Sequence, residues 1–105
     1  MLKVLMEFRK GVLFVRLSGV LDKSTITVFE SQVKEVVIKL GIKYMVINVE
    51  ELNNISIEGM KKIKSLKKTV NKSGGKLFIC GSDFNDFAEF SKIENELNVF
   101  RRVKI

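Results

Sequence analysis

Histidine, tryptophan and proline are absent from this 105-residue chain, and cysteine occurs once. Without histidine, the Ser-His-Asp and Cys-His routes to nucleophilic catalysis are closed, as are most zinc and non-haem iron sites. A single cysteine, Cys80, excludes an intramolecular disulfide, which fits a reducing compartment. It ends the apolar run Leu77-Phe78-Ile79-Cys80, so a buried, inert thiol is expected. No apolar stretch reaches the roughly 20 residues that a membrane span needs. The apolar start, Met1 to Met6, meets Glu7 before it could form a signal core. The expectation is a cytoplasmic protein with no catalytic residues, no metal, no cofactor and no membrane partner.

The residues that are present describe a folded domain. The chain is 46% hydrophobic and 30% charged, values of a globular protein rather than a disordered one. Its length suits one domain, residues 1–105, and no Pro/Gly linker, repeat or low-complexity run divides it. The net charge of +7 favours acidic partners without choosing among protein, nucleic acid and anionic lipid.

Periodicity organises the chain. Leu2 to Phe8 and Gly11 to Val20 read as two strands around a turn at Arg9-Lys10-Gly11. Ile26, Phe29, Val33, Val36, Val37 and Leu40 then recur at helical steps, with Ser24 or Thr25 as N-cap and Gly41 as a left-handed stop. Tyr44 to Val49 reads as a buried strand, followed by a polar connection from Glu50 to Ile55. A second helix carries Ile57, Met60, Ile63, Leu66 and Val70 on its apolar stripe and stops at Ser73-Gly74-Gly75. Lys76 to Cys80 is a further strand. A third helix is expected after Ser82, with Phe84, Phe87 and Phe90 packed in the core, and a last strand from Val99 to Ile105. The order is β-β-α-β-α-β-α-β. Strands separated by helical crossovers pair in parallel, whereas the tight first turn makes an antiparallel pair. The expected architecture is therefore α/β, a mixed β-sheet with helices packed mainly on one face.

Few residues suggest chemistry. Gly74-Gly75 lacks the lysine and hydroxyl pattern of a phosphate loop and reads as a helix stop. Glu50 and Glu51 sit near a strand end but have no base, nucleophile or metal ligand beside them, so they read as solvated acids. Asp83 and Asp86 complement the dipole of the third helix. The second helix is the unusual segment. Lys61, Lys62, Lys64, Lys67, Lys68, Lys72 and Lys76 follow one another with no acid between them. They form either a solvated face or a docking surface for something acidic. Nucleic acid is disfavoured as the partner, because the helix has no arginine to read bases and little interleaved aromatic character.

Three segments resemble the STAS domain, most closely the stand-alone bacterial anti-sigma factor antagonists, including the sporulation protein of that kind. Gly11 to Asp22 resembles the family's second strand with its Gly-x-Leu-Asp turn. Lys43 to Leu52 resembles the strand and loop before its key motif. Gly74 to Cys80 resembles a helix end and the strand after it. The resemblance covers nearly the whole chain and implies a STAS-like fold. It also implies a non-enzymatic role, binding an anti-sigma factor of the histidine-kinase-like ATPase type and so freeing a sigma factor. The family commonly carries Asp-Ser-Ser-Gly at the start of the second helix, where the partner kinase phosphorylates the first serine. Here the matching residues are Ser56-Ile57-Glu58-Gly59. Ile57 at the phosphoacceptor position cannot be phosphorylated. The resemblance leaves constitutive binding, a shifted phosphosite at Ser56, or a permanent charge at Glu58, of which loss of the usual switch with binding retained is the favoured reading. It places the partner-binding surface on Asp22, Lys23 and Ser24, on Asn53, Asn54, Ser56, Ile57, Glu58 and Gly59, and on Lys61 and Lys62. It also implies that the family's further C-terminal helix is missing, leaving part of the sheet or first helix uncovered. The alternative is a degenerate STAS scaffold or assembly module unrelated to sigma control.

Overall fold

The structure, a computed structural model, describes residues 1–81 and 87–103. Strands β1 (Leu2–Arg9) and β2 (Val12–Leu21) form an antiparallel hairpin in unbroken register. Its two-residue turn places Lys10 at φ 49° and Gly11 at φ 82°, both in the left-handed region that a tight hairpin of this hand requires. Helix α1 (Ile26–Phe29) passes through a π-helical turn at Glu30–Lys34 and resumes as α2 (Glu35–Leu40). Strand β3 is Tyr44–Ile55, helix α3 is Ile57–Lys72, strand β4 is Lys76–Cys80 and strand β5 is Ser91–Ile93. A 3-10 turn at Glu96–Asn98 leads into the short helix α4, Val99–Arg102. The sheet order is β1-β2-β3-β4-β5, and every pair after the hairpin is parallel.

The main core lies between the sheet and α1–α3. Leu13, Val15 and Leu17 of β2, Met45 and Ile47 of β3, and Leu77 and Ile79 of β4 face Phe29, Val33, Val37, Ile63, Leu66 and Val70. On the opposite face Val12, Phe14, Val46, Phe78 and Cys80 meet Ile93 and Val99. Because both faces of the sheet are covered here, Val12 to Val15 of β2 and Leu77 to Cys80 of β4 run apolar without alternation. The π turn has a packing cause. A four-residue step overshoots one α-helical turn of about 3.6 residues, so Phe29, Val33 and Val37 would drift off the core; a wider turn keeps all three inside. Gly41 ends α2 at φ 61°, as its position in the sequence predicts.

Four expectations need correction. First, β3 continues to Ile55 rather than giving way to a loop at Glu50. Ser18 to Leu21 pair with Glu51 to Ile55, with register shifts between Arg16 and Ser18 and between Gly19 and Val20, so the backbone stays paired although most of the side chains are polar. Second, the last strand is Ser91–Ile93, and Val99–Arg102 is helical. Val99 is fully buried, Val103 N–H donates to Val99 O, and the Phe100 ring lies 5.9 Å from that of Phe14. This short helix covers the second face of the sheet, so the chain does carry a C-terminal helix. Third, Leu40 and Ile57 are 64% and 74% exposed and do not belong to their apolar stripes. Fourth, Thr25 occupies the N-cap position of α1, yet its hydroxyl makes no capping bond and instead donates to Val20 O at 2.8 Å. The expected third helix begins at Ser82, and its Ser82, Asp83, Phe84 and Asp86 lie outside the described residues. Phe87 and Phe90 are buried and meet edge to face at 5.7 Å, as core residues. Among the described residues, no helix is long and apolar enough to cross a membrane.

Gly59 sets how closely α3 approaches the sheet. A Cβ there would lie 2.5 Å from Leu21 O and 2.9 Å from Leu21 Cγ. At an open helical site, Gly to Ala stabilises by about 0.5–1 kcal/mol. Here the sign reverses. Gly59→Ala lowers the unfolding free energy by about 1–3 kcal/mol in urea titration, and unchanged or increased stability would contradict the close approach.

Candidate functional site

Two segments converge at the C-terminal ends of β2 and β3. Leu21 and Ile55 are paired residues at those ends. After Leu21 the chain turns through Asp22-Lys23-Ser24; after Ile55 it enters α3 through Ser56. Ser56 N–H donates to Leu21 O at 2.9 Å, which holds the two turns side by side.

Each turn is internally fixed. One carboxylate oxygen of Asp22 accepts the Ser24 N–H at 2.9 Å and the Ser24 hydroxyl at 2.6 Å, while the Asp22 N–H donates to the Thr25 hydroxyl at 3.0 Å. The Ser24 hydroxyl, aided by backbone N–H groups, holds the Asp22 carboxyl below its usual range. At the other turn, Ser56 has extended backbone and its hydroxyl accepts the Gly59 N–H at 3.1 Å, making it the N-cap of α3. The sequence suggested Ser56 as a partner contact and a shifted phosphosite, and its role as the cap was missed. The signal was present: a serine directly before the first residue of the expected helix. Glu58, in the first turn, is held below the usual carboxylate range by its own backbone N–H, then by the Ser56 hydroxyl, with Lys23 and Lys61 adding attraction. Lys23 belongs to the first turn and Glu58 to the second, so the two segments form one electrostatic unit.

Ile57 projects from this unit. It is the first residue of α3 and 74% exposed, and it borders a shallow cleft of about 260 Å³ with Ile55, Ser56, Met60, Lys61 and Lys64. Asp22, Lys23, Ser24, Ser56, Ile57, Glu58, Gly59 and Lys61 are thus brought together. Asn53 and Asn54 are exposed on the last residues of β3 rather than in a loop. Lys62 turns away from the cleft and pairs with Glu30 of the π turn at 3.1 Å.

The lysine row of α3 is partly neutralised within the chain. Besides the Lys62 pair, Lys64 meets Glu89 at 3.3 Å, and Lys67 donates to Glu89 O at 2.9 Å with its ammonium 5.1 Å from the Phe90 ring centre. Lys61, Lys68 and Lys72 have no ion pair among the described residues.

A second concavity of about 430 Å³ lies on the opposite face, bordered by Arg16, Asn48, Glu50, Glu51, Glu94 and Glu96. Arg16 grips Glu96 at two points, 2.9 and 2.6 Å, and this holds the Glu96 carboxyl below its usual range. Glu51 accepts the Ser18 hydroxyl at 2.9 Å. Cys80 borders the same concavity, and burial pushes its thiol up to about 11, leaving it protonated at neutral pH. Among the described residues, no three His, Cys, Asp or Glu side chains converge as a metal site.

Known proteins resemble this chain over its length. The family model of the STAS domain matches residues 3–104. The anti-sigma F factor antagonist of Paenibacillus polymyxa is 29% identical over 115 aligned positions, covering 99% of this chain and 97% of that protein. A putative anti-sigma factor antagonist from Thermotoga maritima superposes with a TM-score of 0.86 at 11% identity, covering 95% of this chain and 93% of the other. The anti-sigma factor antagonist SpoIIAA in its unphosphorylated form gives 0.78 at 10% identity, covering 95% and 96%. At such identities the superpositions speak for the fold.

Replacing Ser56 by alanine leaves the Gly59 N–H without its acceptor. The expected cost is about 1 kcal/mol of stability, read as a lower urea midpoint with an unchanged slope. Ser56→Asp, which keeps an acceptor at the cap, recovers most of it. Full stability of the alanine variant would show that the hydroxyl is free.

Proposed function

The chain belongs to the STAS domain family, and on that premise we propose that it is an anti-sigma factor antagonist whose docking surface centres on Ile57 and lacks the usual serine switch. The observation that carries this reading is the exposure of Ile57 at the first position of α3, between the Asp22–Ser24 turn and Lys61. The relative from Paenibacillus polymyxa, whose name describes the same role, supports it.

The surface would act as follows. Burying a fully exposed isoleucine side chain contributes about 1.5–3 kcal/mol, so an apolar socket on the partner gains from Ile57 directly. Lys23 and Lys61 flank it and favour an acidic rim around that socket. The partner is an anti-sigma factor of the histidine-kinase-like ATPase type. Sequestering it leaves a sigma factor free to join RNA polymerase. In a family member with serine at this position, a phosphate adds about −1.5 to −2 charges to the contact and breaks it. Isoleucine has no oxygen to accept a phosphoryl group, so the contact forms without regard to the partner's kinase activity. The neighbouring Ser56 does not substitute, because its oxygen is engaged as the helix cap and stands beside the Glu58 carboxylate, which repels an incoming phosphate.

Two measurements on the purified chain and its anti-sigma factor check this. Incubation with ATP leaves the intact mass unchanged, whereas a phosphate on Ser56 would refute loss of the switch. In calorimetry, Ile57→Asp weakens binding at least tenfold, about 1.4 kcal/mol, with stability unaltered because the side chain touches solvent. Unchanged affinity would move the docking surface elsewhere. Stable association with a different complex and none with the anti-sigma factor would favour a scaffold role.

A further inference from the structure

Strand β1 is the long open edge of the sheet. It has eight residues and, among the described residues, pairs only with β2, while the opposite edge, β5, has three. The two-residue turn makes Arg9 and Val12 a hydrogen-bonded pair. Because the register is unbroken, Lys3, Leu5 and Glu7 also bond to β2. The Val20 N–H donating to Met1 O at 3.0 Å continues this odd-numbered series. The N–H and C=O groups of Leu2, Val4, Met6 and Phe8 therefore point away from the sheet. None of them is taken up by another element among the described residues. Edges of this kind template pairing with another strand unless blocked. This one has no proline and no bulge, and it exposes apolar side chains on both faces: Leu5 is 51% exposed and Phe8 57%.

Charge selects the occupant and the register. From these observations we propose that β1 pairs antiparallel with β1 of a second copy of this chain, with Leu5 on the two-fold axis, joining two sheets of five strands into one. Centring on Leu5 sets Val4 against Met6 and Leu2 against Phe8 of the second copy. All four are residues whose backbone groups point outward, so each pair can exchange both hydrogen bonds. Lys3 then falls opposite Glu7 of the second copy, twice by symmetry. It does so at non-hydrogen-bonded positions, where side chains approach most closely. The alternative centred on Met6 also satisfies the backbone, but it sets Lys3 against Arg9 and Leu5 against Glu7. Charged side chains on an edge ordinarily block pairing; here their order along the strand attracts a second copy of the same strand and disfavours the neighbouring register. The pairing uses no residue of the Ile57 surface, so the dimer presents that surface twice.

Sedimentation of the full chain across a dilution series tests this, with Lys3→Glu, Glu7→Lys and the double exchange as variants. Circular dichroism checks that each variant is folded. The wild type is expected to reach twice the 12.0 kDa chain mass. Each single reversal sets like charges opposite each other at two symmetric positions and weakens the dimer roughly tenfold or more. The double exchange restores it to near the wild-type value. A wild type that stays monomeric at every concentration would overturn the proposal. So would single variants that dimerise as well as the wild type, or a double variant no better than the singles.

Discussion

The meeting of Leu21 with Ser56 and Gly59 is the constraint on which the rest of the site depends. Leu21 ends β2, and its carbonyl accepts the Ser56 N–H. Gly59 lets the first turn of α3 settle against the same residue, at a distance no Cβ would permit. The start of α3 is thereby fixed to the end of the sheet, with its apolar stripe turned inward from Met60 onward. Ile57 lies one turn before that stripe meets the core and is left in solvent. Its exposure follows from where the helix is anchored.

The electrostatics around this junction are short-ranged and local. The Asp22 carboxylate is occupied by its own turn, and that of Glu58 by the helix N-terminus and the Ser56 hydroxyl, with lysines from both segments nearby. Neither acid is buried, so their lowered protonation constants mark organised hydrogen bonding rather than a source of much stability. The lysine row, which looks unbalanced in the sequence, finds Glu30 and Glu89 from distant parts of the chain. The net charge of +7 survives chiefly as a steering field for acidic partners.

How legible this was differs element by element, for physical reasons. The hairpin, the parallel strands and the stripe of α3 were readable, because burial on one or two faces imposes a period that the residues must obey. The far half of β3 was not. Glu50, Glu51, Asn53 and Asn54 are exposed, and backbone pairing with β2 holds the strand there while Leu52 alone of the five turns into the core, too sparse a pattern to read as a strand. The π turn was invisible because it corrects a phase error of less than half a residue per step. β5, at three residues, is too short to carry a period. The Val99-Phe100-Val103 spacing is helical in retrospect, yet its β-branched and aromatic residues suit a strand equally well. At the site, the proposed surface rests on family resemblance, and the residue types alone did not suggest it. The exposure of Ile57 and the capping role of Ser56 came only with the fold, since both depend on where α3 begins relative to the sheet.

Hydrogen exchange followed by mass spectrometry, on the chain alone and bound to its anti-sigma factor, tests the docking surface most directly. The account predicts slowed exchange across residues 22–25 and 56–62, with the Arg16–Glu96 face unchanged. Protection confined to that opposite face, with the start of α3 exchanging as in the free chain, would contradict it.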